Sequence, residues 1–165
     1  MASPQVKTRR PGAVEQIRIL TWFQFHLTVI TLIVTIVAGA ILSGQGDWAY
    51  LMYRDDARRG TDAMLMVMLA LLGTLVLLAV TAFGLRRDWA VSLPLVILAE
   101  AAVVVDVVLA MWAGLQTRNV LGALTMLFAA ALGLLALLLL GLGGWIVARL
   151  FRGEVWSYLF RSQRA

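Results

Sequence analysis

The sequence has no cysteine, one histidine and little charge. Without cysteine there is no disulfide framework, no thiol redox chemistry, no thiolate metal site and no iron–sulfur ligation. A single histidine excludes bis-histidine haem and any multi-histidine metal centre within one subunit. Charged residues make up 14% of the 165 positions, too few to clothe a soluble core of this size. Disorder is excluded by the same balance, because 62% of the chain is apolar and its mean hydropathy is +0.90.

What the chain does have is four long stretches nearly free of charge, at 19–42, 63–85, 90–115 and 120–148. About 20 helical residues cross a hydrocarbon core of roughly 30 Å, so each stretch is long enough to span. Backbone groups left unpaired in lipid are costly, and these runs are too long and too continuously apolar for barrel strands. The sequence therefore predicts an all-α, integral membrane four-helix transmembrane bundle forming one membrane domain. The last stretch is the longest, and Gly141, Gly143 and Gly144 mark where it could tilt, kink or emerge early.

Positive charge sets the expected direction. Lys7, Arg9, Arg10, Arg18, Arg86, Arg87, Arg149, Arg152, Arg161 and Arg164 fall on one side, against Arg54, Arg58, Arg59 and Arg118 on the other. The positive-inside rule then places both termini in the cytoplasm, with up-down-up-down helices in the plasma (inner) membrane. Trp22, Trp89, Trp145 and Trp156 fall near the expected inner boundary, and Trp48 and Trp112 near the outer one, as interfacial anchors do. Arg9-Arg10 and Ala38-Gly39-Ala40 resemble parts of a cleavable signal. The first apolar run is too long and too far from the arginine pair for that, so the first helix is expected to stay.

The connections at 86–89 and 116–119 read as tight turns, which makes the last three helices consecutive antiparallel neighbours. The longer 43–62 connection holds Trp48, Leu51 and Met52 at helical spacing, giving an interfacial segment over 47–58 that is read as an ordinary membrane-surface linker. A second interfacial segment is expected over 149–161, with Phe151, Val155, Tyr158 and Leu159 on one face and Arg152 and Arg161 available to anionic lipids.

Chemistry has few places to reside. Glu100 and Asp106 lie well inside the third apolar stretch, where an ionisable residue costs about 2.5 to 3.5 kcal/mol on insertion scales and must face a partner or a hydrated cavity. Six residues rotate a helix by about 240°, so the two are not a same-face catalytic dyad. Polar glue between helices is the simpler use for them. Thr21, Gln24, Thr28, Thr31 and Thr35 repeat at spacings of three and four in the first helix, a polar seam that belongs inside a bundle. His26 lies beside this seam at about the depth of Glu100, which makes an imidazole–carboxyl pair the expected contact. Ser92 is the expected cap of the third helix. The fourth helix carries Ala129, Gly133 and other small residues at intervals that let backbones approach.

No nucleophile elbow, nucleotide fingerprint or metal motif is present, and Gly-Leu-Gly-Gly lacks the lysine of a P-loop. The basic balance reflects topology rather than nucleic-acid binding. No catalytic, cofactor-binding or metal residues are assigned, and no cofactor is expected. The leading expectation is a noncatalytic accessory, scaffolding or interaction subunit in contact with lipid, in a homo-oligomer or a larger membrane complex. The competing class is a proton-coupled carrier or channel using Glu100, Asp106 and His26, and a membrane enzyme comes third.

Overall fold

The computed structural model describes residues 12–44, 54–87, 89, 91–121, 123–152, 155 and 157. It contains four helices: α1, Gly12–Gly44; α2, Arg54–Arg86; α3, Ser92–Leu121; and α4, Ala123–Leu150. All four are long and apolar enough to cross a membrane, and the chain is a small multi-pass membrane protein. The first three helices are longer than their apolar stretches, and α4 is about as long as its own. Helices of 28 to 33 residues measure about 42 to 50 Å, so they outrun the hydrocarbon and carry polar turns beyond it or tilt.

Successive helices pack side by side, and α4 closes the ring against α1. The α2–α3 interface is the most extensive, and α1 lies diagonally opposite α3. At the end of the bundle holding the start of α1 and the end of α4, here the proximal end, Val14, Ile17, Leu85, Leu93, Ile146 and Leu150 form an apolar cluster. At the distal end, Ala38, Met64, Val67, Leu71 and Ala113 form a second one. Between them the interior is mixed: Thr21, Gln24, Thr28, Thr31, Thr35, Thr74, Thr81, Glu100 and Asp106 are all buried, alongside the apolar Leu78, Val103 and Leu139.

The turn from α2 to α3 is tight for a local reason. Arg87 and Trp89 donate backbone hydrogen bonds to the Gly84 carbonyl at 3.1 and 3.0 Å, and Ser92 N–H donates to Trp89 at 2.9 Å. A Cβ on Gly84 would stand 2.6 Å from Ser92 Oγ, so a larger residue there would require that hydroxyl to turn away. Outside the turn, Arg87 stacks 4.5 Å over Phe83, which meets Trp89 edge-on at 5.9 Å.

Four local expectations change. Gln116 to Asn119 is not a turn: α3 continues to Leu121, and Thr117 Oγ1 donates to the Gly114 carbonyl at 3.1 Å. Polar side chains do not end a helix that still has backbone partners. Arg54 to Asp62, expected in the distal linker, form the opening turns of α2, while 45–53, with Trp48, Leu51 and Met52, lie outside the described residues. Ser92 begins α3, but its hydroxyl is buried with no hydrogen-bond partner among the described residues, so it caps nothing. Past α4, Val155 is fully buried in the proximal cluster while Phe151 is exposed. The two therefore share no lipid-facing stripe, and the Val155 N–H donates to the Arg152 carbonyl at 3.0 Å. Tyr158, Leu159 and Arg161 lie outside the described residues. The glycines at 141, 143 and 144 leave α4 continuous to Leu150.

Candidate functional site in the bundle interior

The spacing of three and four turns the α1 seam inward, and Thr21, Gln24, Thr28, Thr31 and Thr35 are all buried. The threonine hydroxyls are satisfied within their own helix. Thr21 donates to the Ile17 carbonyl at 2.8 Å, Thr28 to Gln24 at 2.9 Å, Thr31 to Leu27 at 2.9 Å and Thr35 to Thr31 at 2.8 Å. Gln24 is too long for that arrangement and reaches elsewhere. Its Nε2 donates to Glu100 Oε2 at 2.9 Å, across the bundle from α1 to its diagonal partner.

The third participant is Gly143 of α4. A Cβ built there would lie 2.2 Å from Glu100 Oε2, 3.3 Å from Glu100 Cδ and 3.6 Å from Gln24 Nε2. The bare backbone of Gly143 is thus the wall against which the Glu100 carboxyl rests. Three helices meet at this joint. The Gln24 amide suits either protonation state of its partner, since Nε2–H donates to a carboxylate and Oε1 accepts from a carboxylic acid. Oε1 is buried and has no partner among the described residues.

Asp106 lies six residues further along α3, about 9 Å toward the distal end. Its side chain hydrogen-bonds Thr74 of α2, and its Oδ2 is buried without a partner among the described residues. Glu100 therefore faces α1 and α4, and Asp106 faces α2, as their 240° separation requires. The two carboxyls do not form one centre. The apolar clusters close the mixed interior at both ends.

His26 departs from expectation. It is exposed on the outside of the bundle, its Nδ1 bonded to the Trp22 carbonyl at 2.7 Å, and it does not pair with Glu100. The reason is rotation. Two residues past Gln24 is about 200° around the helix, so a seam that faces inward sends His26 outward. Of the residues singled out in the sequence, Gln24 and Glu100 come together, Asp106 has a separate partner, and Thr28, Thr31 and Thr35 line the seam on their own backbone bonds. Gly143 was missed, because a recess made by the approach of another helix leaves no local pattern.

Comparison with protein-family models, with curated proteins and with solved structures finds no match. Function must therefore be argued from this geometry.

Proposed function

We propose that the chain is a noncatalytic interaction subunit of a membrane assembly, which offers α4 to a transmembrane helix of a partner protein. The observation that carries this reading is the imbalance of burial among the spans. Only 11% of the α4 span is buried within the bundle, against 28 to 33% for the other three. Its outer side carries Ala130, Gly133, Gly141 and Gly144, all exposed, and a Cβ at any of these three glycines would meet open space. Small residues on a lipid-facing helix let a second backbone come close enough for van der Waals packing, which drives association where lipid supplies no hydrophobic force.

The absence of cysteine from the sequence makes the test direct. Single cysteines at Gly133 and Gly141, carrying a photoactivatable crosslinker in native membranes, are expected to trap a partner of defined mass. A cysteine at Val76, on the lipid-facing side of α2, serves as the comparison. Equal capture from both helices, or none from α4, overturns the reading. The proposed setting is the plasma membrane with both termini cytoplasmic, for which the arginine distribution is the support. Labelling of Ser3→Cys but not Ser43→Cys from outside intact cells would reverse it.

A second reading, proton-coupled transport through Glu100 and Asp106, is favoured by the unpartnered Asp106 Oδ2 in the closed interior. It requires both apolar ends to open. Vesicles containing the purified chain and a pH-sensitive dye would show proton flux lost in Glu100→Gln and Asp106→Asn. Flux no greater than in empty vesicles removes this alternative.

A further inference from the structure

Between α1 and α2, toward the proximal end, lies an open groove of about 1180 Å³ whose surface is apolar for most of its extent. Both helices bring aromatic rings to it: Trp22 and Phe23 from α1, Phe83 from α2 and Trp89 from the turn that follows. Ala79 and Ala82 of α2 are the small side chains that leave space between them. We propose that this groove binds a lipid hydroquinone, with its flat ring among these aromatic side chains, one phenolic O–H donated to Nε2 of His26, and its apolar tail laid along α1 and α2.

Hydrogen bonding decides the head group. His26 is exposed and lines the groove. Its Nδ1 meets the Trp22 carbonyl at 2.7 Å, and a carbonyl only accepts, so Nδ1 carries the proton and Nε2 of the neutral ring is an acceptor. Among the described residues nothing donates to Nε2. Acyl chains carry no donor and phospholipid esters only accept, so the surrounding lipid leaves this nitrogen unanswered. An occupant must therefore bring a donor of its own. The arginines of the groove play no part in this, since Arg18 pairs with Glu15 and Arg86 is engaged as well.

The walls decide what carries that donor. Water would answer Nε2 but leave the apolar length of the groove empty, and a fatty alcohol would bring an O–H without a ring. Trp22, Phe23, Phe83 and Trp89 are all exposed, so each presents ring surface to an occupant. Two pairs of contacts hold these rings before anything binds: Trp22 meets Phe25 edge-on at 5.5 Å, and Phe83 meets Trp89 edge-on at 5.9 Å. A planar ring packed against such side chains gains attraction beyond the area it buries. Depth agrees with this occupant. Tryptophan settles at the headgroup boundary, and Trp22 and Trp89 put the aromatic end of the groove there. A hydroquinone at that level keeps its second hydroxyl near water while its tail runs toward the bilayer midplane.

Native mass spectrometry of the full chain in detergent tests the site with decyl-ubiquinol, held reduced in the absence of oxygen, and decyl-ubiquinone, added separately. The two share a ring and a tail, and only the first has O–H groups to donate. One decyl-ubiquinol per chain is expected to be retained about tenfold better than the quinone, the effect of one hydrogen bond of about 1.4 kcal/mol. His26→Phe keeps a ring in place but removes the acceptor, and should abolish that preference. Ala79→Trp, which fills the groove and leaves His26 as it is, should lower retention of both compounds. Decanol, which has the O–H but no ring, should be retained no better than the quinone. Should His26→Phe melt early in detergent, Ala79→Trp still decides the question. Equal retention of quinol and quinone by the unaltered protein overturns the proposal. So does a preference that survives His26→Phe, quinol retention that survives Ala79→Trp, or decanol retained as well as the quinol.

Discussion

Glu100 and Asp106 sit on one helix, both buried in a membrane-spanning interior, yet the bundle treats them differently. Glu100 is held on two sides, by the Gln24 amide at 2.9 Å and by the bare Gly143 backbone. Asp106 has a threonine and an oxygen with no hydrogen-bond partner among the described residues. The first is a fitted joint between three helices, and the second is a polar group the packing merely encloses. Burial alone therefore does not measure how much of a structure depends on a charged residue. The number of elements that shape themselves around it does.

The largest expected effect tests the fitted side. Gly143→Ala places a methyl group where the Glu100 carboxyl is, and overpacking of this kind costs typically 1 to 3 kcal/mol. Thermal melting in detergent should show the loss, and Glu100→Ala in the same chain should relieve it. Additive effects in the double variant would mean the recess is not shaped for Glu100. Next in size is Gln24→Leu, which keeps the bulk but removes the side chain that donates to Glu100, at a cost of about 1 to 3 kcal/mol for a buried group left unpaired.

On the enclosed side the sign should reverse. Asp106→Leu matches the shape of the carboxyl and removes an unpartnered oxygen. The Thr74 bond it sacrifices is worth about 0.6 kcal/mol on the average for membrane helices. Melting should move upward or stay within error, and a drop as large as that of Gln24→Leu would erase the distinction between the two carboxyls. The smallest effect is expected from Thr28→Val, within about 0.5 kcal/mol, because its hydroxyl is satisfied by its own helix and nothing across the bundle depends on it.

The bundle itself was legible because lipid leaves the chain few options: four apolar stretches of sufficient length become four helices. Their ends were less so, since Gln116 to Asn119 looked like a polar turn while the backbone simply continued to Leu121. The inward seam was legible from the spacing of Thr21, Gln24, Thr28, Thr31 and Thr35, a property of one helix. The partner of Glu100 was half legible. Equal depth brought His26 and Glu100 together on paper, but depth carries no information about rotation, and the seam itself already pointed His26 away. The recess at Gly143 arises where separate helices approach, and no single stretch of sequence records that distance.

The self-satisfied threonines of α1 bear on how the protein is made. A first helix enters the bilayer before its neighbours exist, and every polar side chain it carries must wait in hydrocarbon for a partner. Thr21, Thr28, Thr31 and Thr35 have nothing to wait for, because their carbonyl acceptors arrive one turn earlier on the same strand of chain. Gln24 alone remains outstanding until α3 delivers Glu100, seventy-six residues later in synthesis. The seam thus lets α1 insert early and leaves one open connection, which closes only when the third crossing has been completed.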